Sequence, residues 1–232
     1  KEEKTVENSK TEEDKEANAW ALDYWDKRGL KSRTESIFKQ RYGFDPTPSY
    51  ESGTVVPFHD WPGGGGNLNY PMVYQNGLAS AIKDVEERMM SLEMRLENTD
   101  KLYFYQASLI VMKAVIRWAN RYAVLARKMA EKEKNETRKA ELLAIAETCE
   151  WVPEHPARNL REAMQSHFFC HLAAELEQVG CGYSQAYLGQ NMEPYFQADK
   201  AAGLIDYDDA VFMFQNLVVR LNEINYYYGE KV

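Results

Sequence analysis

The sequence has few cysteines and no long apolar run, and these two deficits exclude several classes of protein. Its three cysteines, Cys149, Cys170 and Cys181, are an odd number without a C-x-x-C spacing. A disulfide framework is therefore not expected, and a reducing compartment, the cytoplasm, is predicted. No apolar stretch approaches the roughly 20 residues needed to span a bilayer. The N-terminus lacks the apolar segment of a signal peptide and, opening without Met, is expected to continue from a longer chain.

Positive charge is also in deficit, with 28 Lys and Arg residues against 36 Asp and Glu residues and a net charge of −8 at pH 7. Nucleic-acid binding is not predicted, because the neutralisation of phosphates requires a positive face. Hydrophobic residues make up 44% of the 232 positions and aromatic residues 12%, which predicts a large buried surface. The chain is therefore expected to be one globular domain or part of a larger one.

The alternating pattern of β-strands is absent, and apolar residues recur at helical spacing instead, so the chain is predicted to be mainly α. Within it we predict an N-terminal helical arm (1–48), a Pro/Gly-rich loop (49–72) and a helical region (73–232). The first half of the helix over 101–134 is apolar on more than one face, which indicates packing inside a larger body. Asn159 is predicted to cap the helix that follows it. The predicted helices cover residues 11–27, 32–42, 72–96, 101–134, 136–149, 159–179, 192–202 and 207–226.

One predicted helix, over 159–179, carries His167, His171 and Glu175 on one face, at positions i, i+4 and i+8. Metal ions can use such a spacing. However, carboxylate-bridged metal centres in helical bundles draw Glu-x-x-His motifs from paired helices, and that motif is absent from the sequence. Buried histidines with local hydrogen-bond partners are therefore favoured, and no metal site is predicted.

Cys181 lies between Gly180 and Gly182 in a predicted turn. A thiol on a tight turn could act as a nucleophile or carry a radical. No histidine stands beside it in the sequence to serve as its base. A packed thiol without a catalytic role is therefore favoured.

A run of four glycines at 63–66 lies in a segment with five prolines between positions 46 and 71. Consecutive glycines are costly to order in a helix or a strand. A phosphate-binding loop would continue with Lys and then Ser or Thr, whereas Asn67 and Leu68 follow here. Because bulky and polar residues flank the glycines, a structured loop near a buried site is favoured over a plain linker. His59 and Asp60 are its best polar pair for a site, and a loop-stabilising hydrogen bond is the alternative.

Five motifs along the chain carry a family resemblance: LYFYQA at 102–107, WANRYA at 118–123, WVPEHPARNLREAMQ at 151–165, YLGQNMEPY at 187–195 and LNEIN at 221–225. They resemble the glycyl radical enzymes, the pyruvate formate-lyase-like proteins, in order and spacing over roughly 17–225. The resemblance implies a ten-stranded α/β barrel of two half-barrels, with this chain as part of its helical exterior. It also implies a Cys on a central loop and a radical Gly near the C-terminus, with the radical installed by an iron–sulfur activase that uses S-adenosylmethionine. Neither motif occurs in this chain, so the chain is expected to be inactive alone.

The WPGGGG run at 61–66 resembles the fumarate-adding branch of that family, the benzylsuccinate and alkylsuccinate synthases. Many relatives carry a G-H-x-x-P-D-Y-like segment here, and this chain lacks its His. The branch implies radical addition of a toluene- or alkane-like hydrocarbon to fumarate, which forms a substituted succinate. One alternative is another glycyl radical lyase, namely a decarboxylase, a dehydratase, or a carbon–nitrogen or carbon–sulfur lyase. The other, of a different class, is a non-catalytic helical interaction module.

The resemblance further implies a dry, apolar substrate pocket, because radical intermediates must be sheltered from side reactions. No catalytic residue or metal ligand is assigned in this chain. The expected partners are the rest of the catalytic subunit, the activase, small accessory subunits, and a second copy or another subunit in an oligomer, without nucleic acid or membrane. The predicted pocket residues are Tyr50, Phe58, His59, Asp60, Trp61 and Tyr70.

Overall fold

The chain divides into two compact units, one formed by Lys1–Gly65 with Tyr227–Val232 and the other by Gly66–Tyr226. The computed structural model describes residues 11–26, 28–45, 48, 68–177, 183–185 and 187–223. In these ranges the regular elements are helices, apart from a single bridge residue at Ser184. The prediction of a mainly α chain is confirmed.

The first unit contains two described helices, α1 (Glu12–Asp26) and α2 (Leu30–Tyr42). On α1, the rings of Trp20 and Tyr24 stack with their centroids 5.2 Å apart, as the helical spacing of the aromatic residues predicts. Helix α2 ends at Gly43, which has a φ of 71°. This left-handed conformation favours glycine and closes many helix C-termini.

The second unit is built around one central helix. Its described helices are α3 (Tyr70–Met90), α4 (Thr99–Lys132), α5 (Glu136–Trp151), α6 (Leu160–Glu177), α7 (Leu188–Ala201) and α8 (Tyr207–Glu223), with a 3₁₀ turn at Leu96–Asn98 before α4. Helix α6 contacts each of the other five. Its N-cap is Asn159, whose side-chain oxygen accepts from the backbone N–H of Glu162 at 2.9 Å, so the predicted cap is confirmed.

Helices α4 and α5 pack along each other through small side chains. A core cluster joins Ala119, Ala123 and Ala126 of α4 to Ala146 and Cys149 of α5. Side chains of this size allow two helix axes to approach closely. Although α4 has 34 residues, none of the helices in the described ranges is long and apolar enough to cross a membrane.

Helix α3 is kinked at Gly77, and the loop between α5 and α6 docks at the kink. Gly77 has a φ of 76° and a ψ of 154°, which L-residues rarely adopt. The backbone N–H groups of Leu78 and Ala79 donate to the carbonyl oxygens of Pro153 and Glu154, each at 2.9 Å. A Cβ at position 77 would clash with the Glu154 carbonyl oxygen. Glycine is therefore required where the loop meets the helix.

The bounds of α3 differ from the prediction at both ends. The helix begins at Tyr70, not at 72, because the Asn69 side chain accepts from the backbone N–H of Met72 and Pro71 fits the first turn. It ends at Met90, not at 96, and the chain continues into the 3₁₀ turn.

Helix α7 begins at Leu188, not at 192, and it continues through Pro194. The prediction placed the start after Gly189, because glycine is unfavourable inside a helix. Tertiary contacts stabilise the longer helix. Met192 is fully buried in the main core cluster, and the Tyr195 hydroxyl donates to the carbonyl oxygen of Tyr74 at 3.1 Å.

Candidate functional site

A buried polar cluster forms where α3, α6 and the segment 183–185 meet. It consists of Tyr70 at the start of α3, His167 and His171 on α6, and Gln185. Tyr70 and His167 are each 1% exposed and His171 is 6% exposed. The two histidines are four residues apart on a helix, so they share one face. The structure thus joins one predicted pocket residue, Tyr70, to the histidine pair identified by its spacing.

Hydrogen bonds connect all four side chains. The Tyr70 hydroxyl lies 2.8 Å from His171 Nδ1, and its ring packs on the His167 ring with centroids 4.0 Å apart. Gln185 Oε1 lies 2.6 Å from His167 Nε2. Gln185 Nε2 lies 3.3 Å from His171 Nδ1 and 3.2 Å from the carbonyl oxygen of Tyr183. The cluster is therefore one network that ties together residues about 100 positions apart.

The carbonyl oxygen of Tyr183 determines which atoms of this network donate and which accept. A carbonyl can only accept, so the Gln185 atom that faces it must be the amide nitrogen. The amide oxygen then faces His167, and His167 Nε2 must carry the proton that it accepts. The second amide hydrogen points to His171 Nδ1, whose single lone pair it shares with the closer Tyr70 hydroxyl. Both imidazoles are thus Nε2–H tautomers with Nδ1 as the acceptor atom.

Burial keeps both imidazoles neutral. Desolvation lowers the pKa of His167 to about 4, against the opposing effect of the Gln185 hydrogen bond. Burial also lowers the pKa of His171. The same cause raises the pKa of Tyr70, with the nearby Cys170 and Glu175 adding to it. At neutral pH the cluster is therefore a set of uncharged donors and acceptors.

One atom of the cluster is left without a partner. In the described part of the chain, His167 Nδ1 is buried and has no hydrogen-bond partner, and the same holds for Ser166 Oγ on the next residue of α6. Since His167 carries its proton on Nε2, the free Nδ1 is a lone pair. A buried lone pair of this kind suits a donor such as a water or a ligand hydroxyl.

The third member of the predicted histidine–carboxylate face is also close. Glu175 Oε1 lies 3.9 Å from His171 Nε2, an electrostatic contact longer than a hydrogen bond. Among the described residues, no group of three or more His, Cys, Asp or Glu side chains could hold a metal ion. The two histidines on this face of α6 belong to the hydrogen-bonded cluster.

Of the two described cysteines, Cys149 is buried and Cys170 is half-buried. Burial raises the pKa of Cys170 to about 12 and that of Cys149 to about 11. Thiols with such values are protonated at neutral pH and unreactive as nucleophiles. Cys181 lies outside the described residues.

Of the predicted pocket residues, only Tyr70 lies within the described ranges. Gln185 was not predicted, because nothing in the sequence of a polar turn distinguishes the one glutamine that reaches two buried histidines. The i, i+4 spacing of those histidines was the signal that led to their buried face. The other predicted pocket residues, which lie outside the described ranges, are Tyr50, Phe58, His59, Asp60 and Trp61.

Comparisons with known proteins agree over most of the chain. The sequence model of the family described as "Pyruvate formate lyase-like" matches residues 1–232. The chain is 34% identical over 210 residues to an isethionate sulfite-lyase from Desulfovibrio desulfuricans, covering 89% of this chain and 23% of that protein. It is 28% identical over 204 residues to a trans-4-hydroxy-L-proline dehydratase from Clostridioides difficile, covering 87% of this chain and 25% of that protein.

A solved structure of similar fold is the glycerol-bound B12-independent glycerol dehydratase from Clostridium butyricum. The TM-score is 0.75 at 26% identity, and the match covers 95% of this chain and 28% of that chain. The chain thus spans about a quarter of the length of the proteins that it matches.

Proposed function

Because the chain belongs to the pyruvate formate lyase-like family, we propose that it is part of a glycyl radical lyase that cleaves a carbon–oxygen or carbon–sulfur bond. The observation that carries this proposal is the nature of the relatives, which match nearly the whole chain and are named as a sulfite-lyase and as dehydratases. The helices of this chain belong to the α/β-barrel fold of those enzymes. In this family the activity belongs to a complete polypeptide, and the chain covers about a quarter of the length of such a relative.

The family implies an organic glycyl radical, which supplies hydrogen-atom abstraction from the substrate when the enzyme is activated. To this chemistry the chain is proposed to contribute uncharged surroundings that hold little water. Tyr70, His167 and His171 are buried and neutral, so they can orient neighbouring groups without placing a charge beside a radical. Exclusion of water protects open-shell intermediates from side reactions.

We also propose that the segment before Tyr70 contributes to the substrate pocket. The resemblance supports this role, since many relatives carry a G-H-x-x-P-D-Y-like segment there. The Tyr70 hydroxyl is hydrogen-bonded to His171. The role proposed for Tyr70 is therefore to hold the edge of the pocket. The residues proposed to line it are Tyr50, Phe58, His59, Asp60 and Trp61.

Fumarate addition is a second candidate, and only one feature favours it. The WPGGGG run at 61–66 resembles the benzylsuccinate and alkylsuccinate synthases. The relatives named above are instead a sulfite-lyase and dehydratases, so elimination is the better supported chemistry.

The proposed enzyme needs partners outside this chain. We propose the rest of the catalytic polypeptide and an S-adenosylmethionine-dependent iron–sulfur activase, with possible oligomer partners, in the cytoplasm. The glycyl radical belongs to the family, and its installation by an activase is part of the proposal.

The test is a substrate comparison with the complete polypeptide, activated under strictly anaerobic conditions. The substrates are a 2-hydroxyalkanesulfonate, a 1,2-diol, 4-hydroxyproline, and a toluene-like hydrocarbon with fumarate. We expect elimination of sulfite or water from one of the first three, and none from the same protein without activation. If the enzyme consumed only the hydrocarbon together with fumarate, it would belong to the fumarate-adding branch instead.

A further inference from the structure

Gln185 connects three parts of the second unit through one side-chain amide. It bonds His167 and His171 of α6, it bonds the carbonyl oxygen of Tyr183 in its own segment, and through His171 it reaches Tyr70 at the start of α3. From this geometry we propose that Gln185 is a positioning residue for the lyase reaction, holding the segment 183–185 and the start of α3 against α6 in one arrangement. This inference rests on the proposed function.

The segment 183–185 needs such an anchor. It has no helix of its own, apart from the single bridge residue at Ser184, and it follows Gly180 and Gly182 in the sequence. Glycines widen the range of backbone conformations that must be excluded on folding. A side chain that bonds two buried imidazoles, at 2.6 and 3.3 Å, restricts that range.

The anchor acts on the start of α3 through Tyr70. The hydroxyl of Tyr70 lies on the same His171 Nδ1 that Gln185 contacts, so the start of α3 and the segment 183–185 are held by one side chain of α6. A shift of α6 would therefore move the segment 183–185 and the start of α3 together. Displacements of about 1 Å at a reacting centre are enough to reduce catalysis strongly.

Only an amide satisfies every partner of Gln185. His167 Nε2–H requires an acceptor and the carbonyl oxygen of Tyr183 requires a donor, while His171 Nδ1, which already accepts from the Tyr70 hydroxyl, takes the second amide hydrogen as a longer contact. Leucine of similar size can satisfy none of them. A glutamate carboxylate satisfies His167 but faces the Tyr183 carbonyl and His171 Nδ1 without a proton to donate.

The glutamate variant therefore adds a pH test. A proton taken up by the new carboxyl or by His171 would restore one donor–acceptor pair, so Gln185→Glu should recover at low pH. The titratable groups around this site are Tyr70 on α3, Cys170 and Glu175 on α6, and Tyr183 in the segment, besides the two histidines. The Gln185→Leu variant keeps those groups and has no such route to recovery.

The experiment compares Gln185→Leu, Gln185→Glu and the control Gln197→Leu in the activated, complete enzyme at pH 6 and pH 8. Gln197 is an exposed glutamine on α7 that bonds Glu193. We expect Gln185→Leu to lower kcat/KM at least about ten-fold at both pH values, mainly through kcat, because the net free energy of even one of its three hydrogen bonds corresponds to about that change in rate. The kcat/KM of Gln185→Glu should be close to that of Gln185→Leu at pH 8 and should rise several-fold at pH 6. The kcat/KM of the control Gln197→Leu should equal the wild-type value at both pH values.

A second measurement does not depend on turnover. Hydrogen exchange of the unactivated, complete protein should be faster over 183–185 and the first turn of α3 in Gln185→Leu, with α5 unchanged. If the wild type eliminates none of the substrates, the proposed function fails and the exchange data still decide the role of Gln185. Unchanged exchange at 183–185, or wild-type kcat/KM in Gln185→Leu, or equal recovery of both variants at pH 6, would overturn the positioning role.

Discussion

His167 is an uncharged side chain inside the second unit because its surroundings favour the neutral form. It is 1% exposed, and the group that faces its Nε2 is the neutral amide of Gln185. A proton added to Nδ1 would create a charge away from bulk water, which is why burial lowers the pKa of His167 to about 4. The imidazole therefore stabilises the fold only in its neutral state.

The first prediction concerns stability against acid. The folded pKa of His167, about 4, lies below its ordinary value of 6.5, so the unfolded chain binds the proton first. The contribution of neutral His167 to the free energy of unfolding is complete above about pH 6.5 and is lost as the pH falls towards 4. It amounts to roughly 3 kcal/mol. His171 acts in the same direction. Denaturant unfolding from pH 7.5 to 4.5 should show a smaller loss in His167→Gln than in the wild type, and parallel curves would contradict it.

The second prediction concerns the hydroxyl of Tyr70. Tyr70→Phe leaves His171 Nδ1 with the longer bond to Gln185 alone, so the free energy of unfolding should fall by about 1–2 kcal/mol. The matched control is Tyr103→Phe on α4, where the side chain is 63% exposed and no loss is expected. Equal stability of the two variants would show that the buried hydroxyl contributes nothing.

The third prediction concerns the free lone pair of His167. A buried acceptor is usually satisfied by an ordered water or another donor. A crystal structure of the complete protein should therefore contain a donor within about 3.2 Å of Nδ1. A group facing Nδ1 that can only accept, such as a carbonyl oxygen, would contradict the tautomer assigned through the Tyr183 carbonyl.

At the scale of the element, the start of α6 is organised by one buried carboxylate. Glu162 is 2% exposed and accepts from the backbone N–H of Arg158 at 2.7 Å and from its guanidinium. That guanidinium lies 4.4 Å from the centre of the Trp151 ring at the end of α5. Since a buried charge is tolerated only when it is paired, this arrangement fixes how α5 leads into α6.

The fourth prediction concerns the kink of α3. Gly77→Ala introduces a Cβ in a left-handed conformation and against the Glu154 carbonyl oxygen, so we expect a loss of more than about 2 kcal/mol. The control is Gly189→Ala on α7, where the added Cβ meets nothing within 4 Å and should stabilise by up to about 1 kcal/mol. Urea unfolding measures both. A mild effect at position 77 would mean that the loop can shift away from the helix.

At the scale of the whole molecule, large apolar side chains lie on the surface of the second unit. On α4 they include Phe104 and Ile110, and on α8 they include Phe212, Val218 and Val219. Large apolar side chains on a surface are typical of helices that pack against further protein when they form contiguous patches. The chain covers about a quarter of the length of its relatives, so under the proposed function the rest of the enzyme would cover these side chains.

The fifth prediction follows from that surface. Phe212 is 66% exposed, so Phe212→Ser should leave the stability of the 232-residue chain unchanged and reduce its aggregation. In the complete enzyme the same change should lower the melting temperature, because it removes a buried aromatic ring. Gln215→Ser on the same helix is the control and should affect neither protein. No change in the complete enzyme would show that this face of α8 is exposed there as well.

Local sequence was sufficient for most of the helices and for the family. Apolar residues at helical spacing located α1 to α6 and α8 to within a few residues at most ends, and Asn159 marked the start of α6 because a cap acts on the next three residues. The predicted start of α7, at 192, was wrong because Gly189 is a local signal against a helix, whereas Leu188 packs against the main core cluster. Local rules fail where distant contacts are stronger.

The buried cluster depends on contacts that no local pattern contains. The spacing of His167 and His171 places them on one face of α6, but their partners come from Tyr70, 101 residues before His171, and from Gln185, 18 residues after His167. Periodicity describes one helix, and it carries no information on which distant segment packs on it. The tautomers, the depressed pKa values and the role of Gln185 therefore follow only from the packed structure, because hydrogen bonds and desolvation depend on which atoms meet in space.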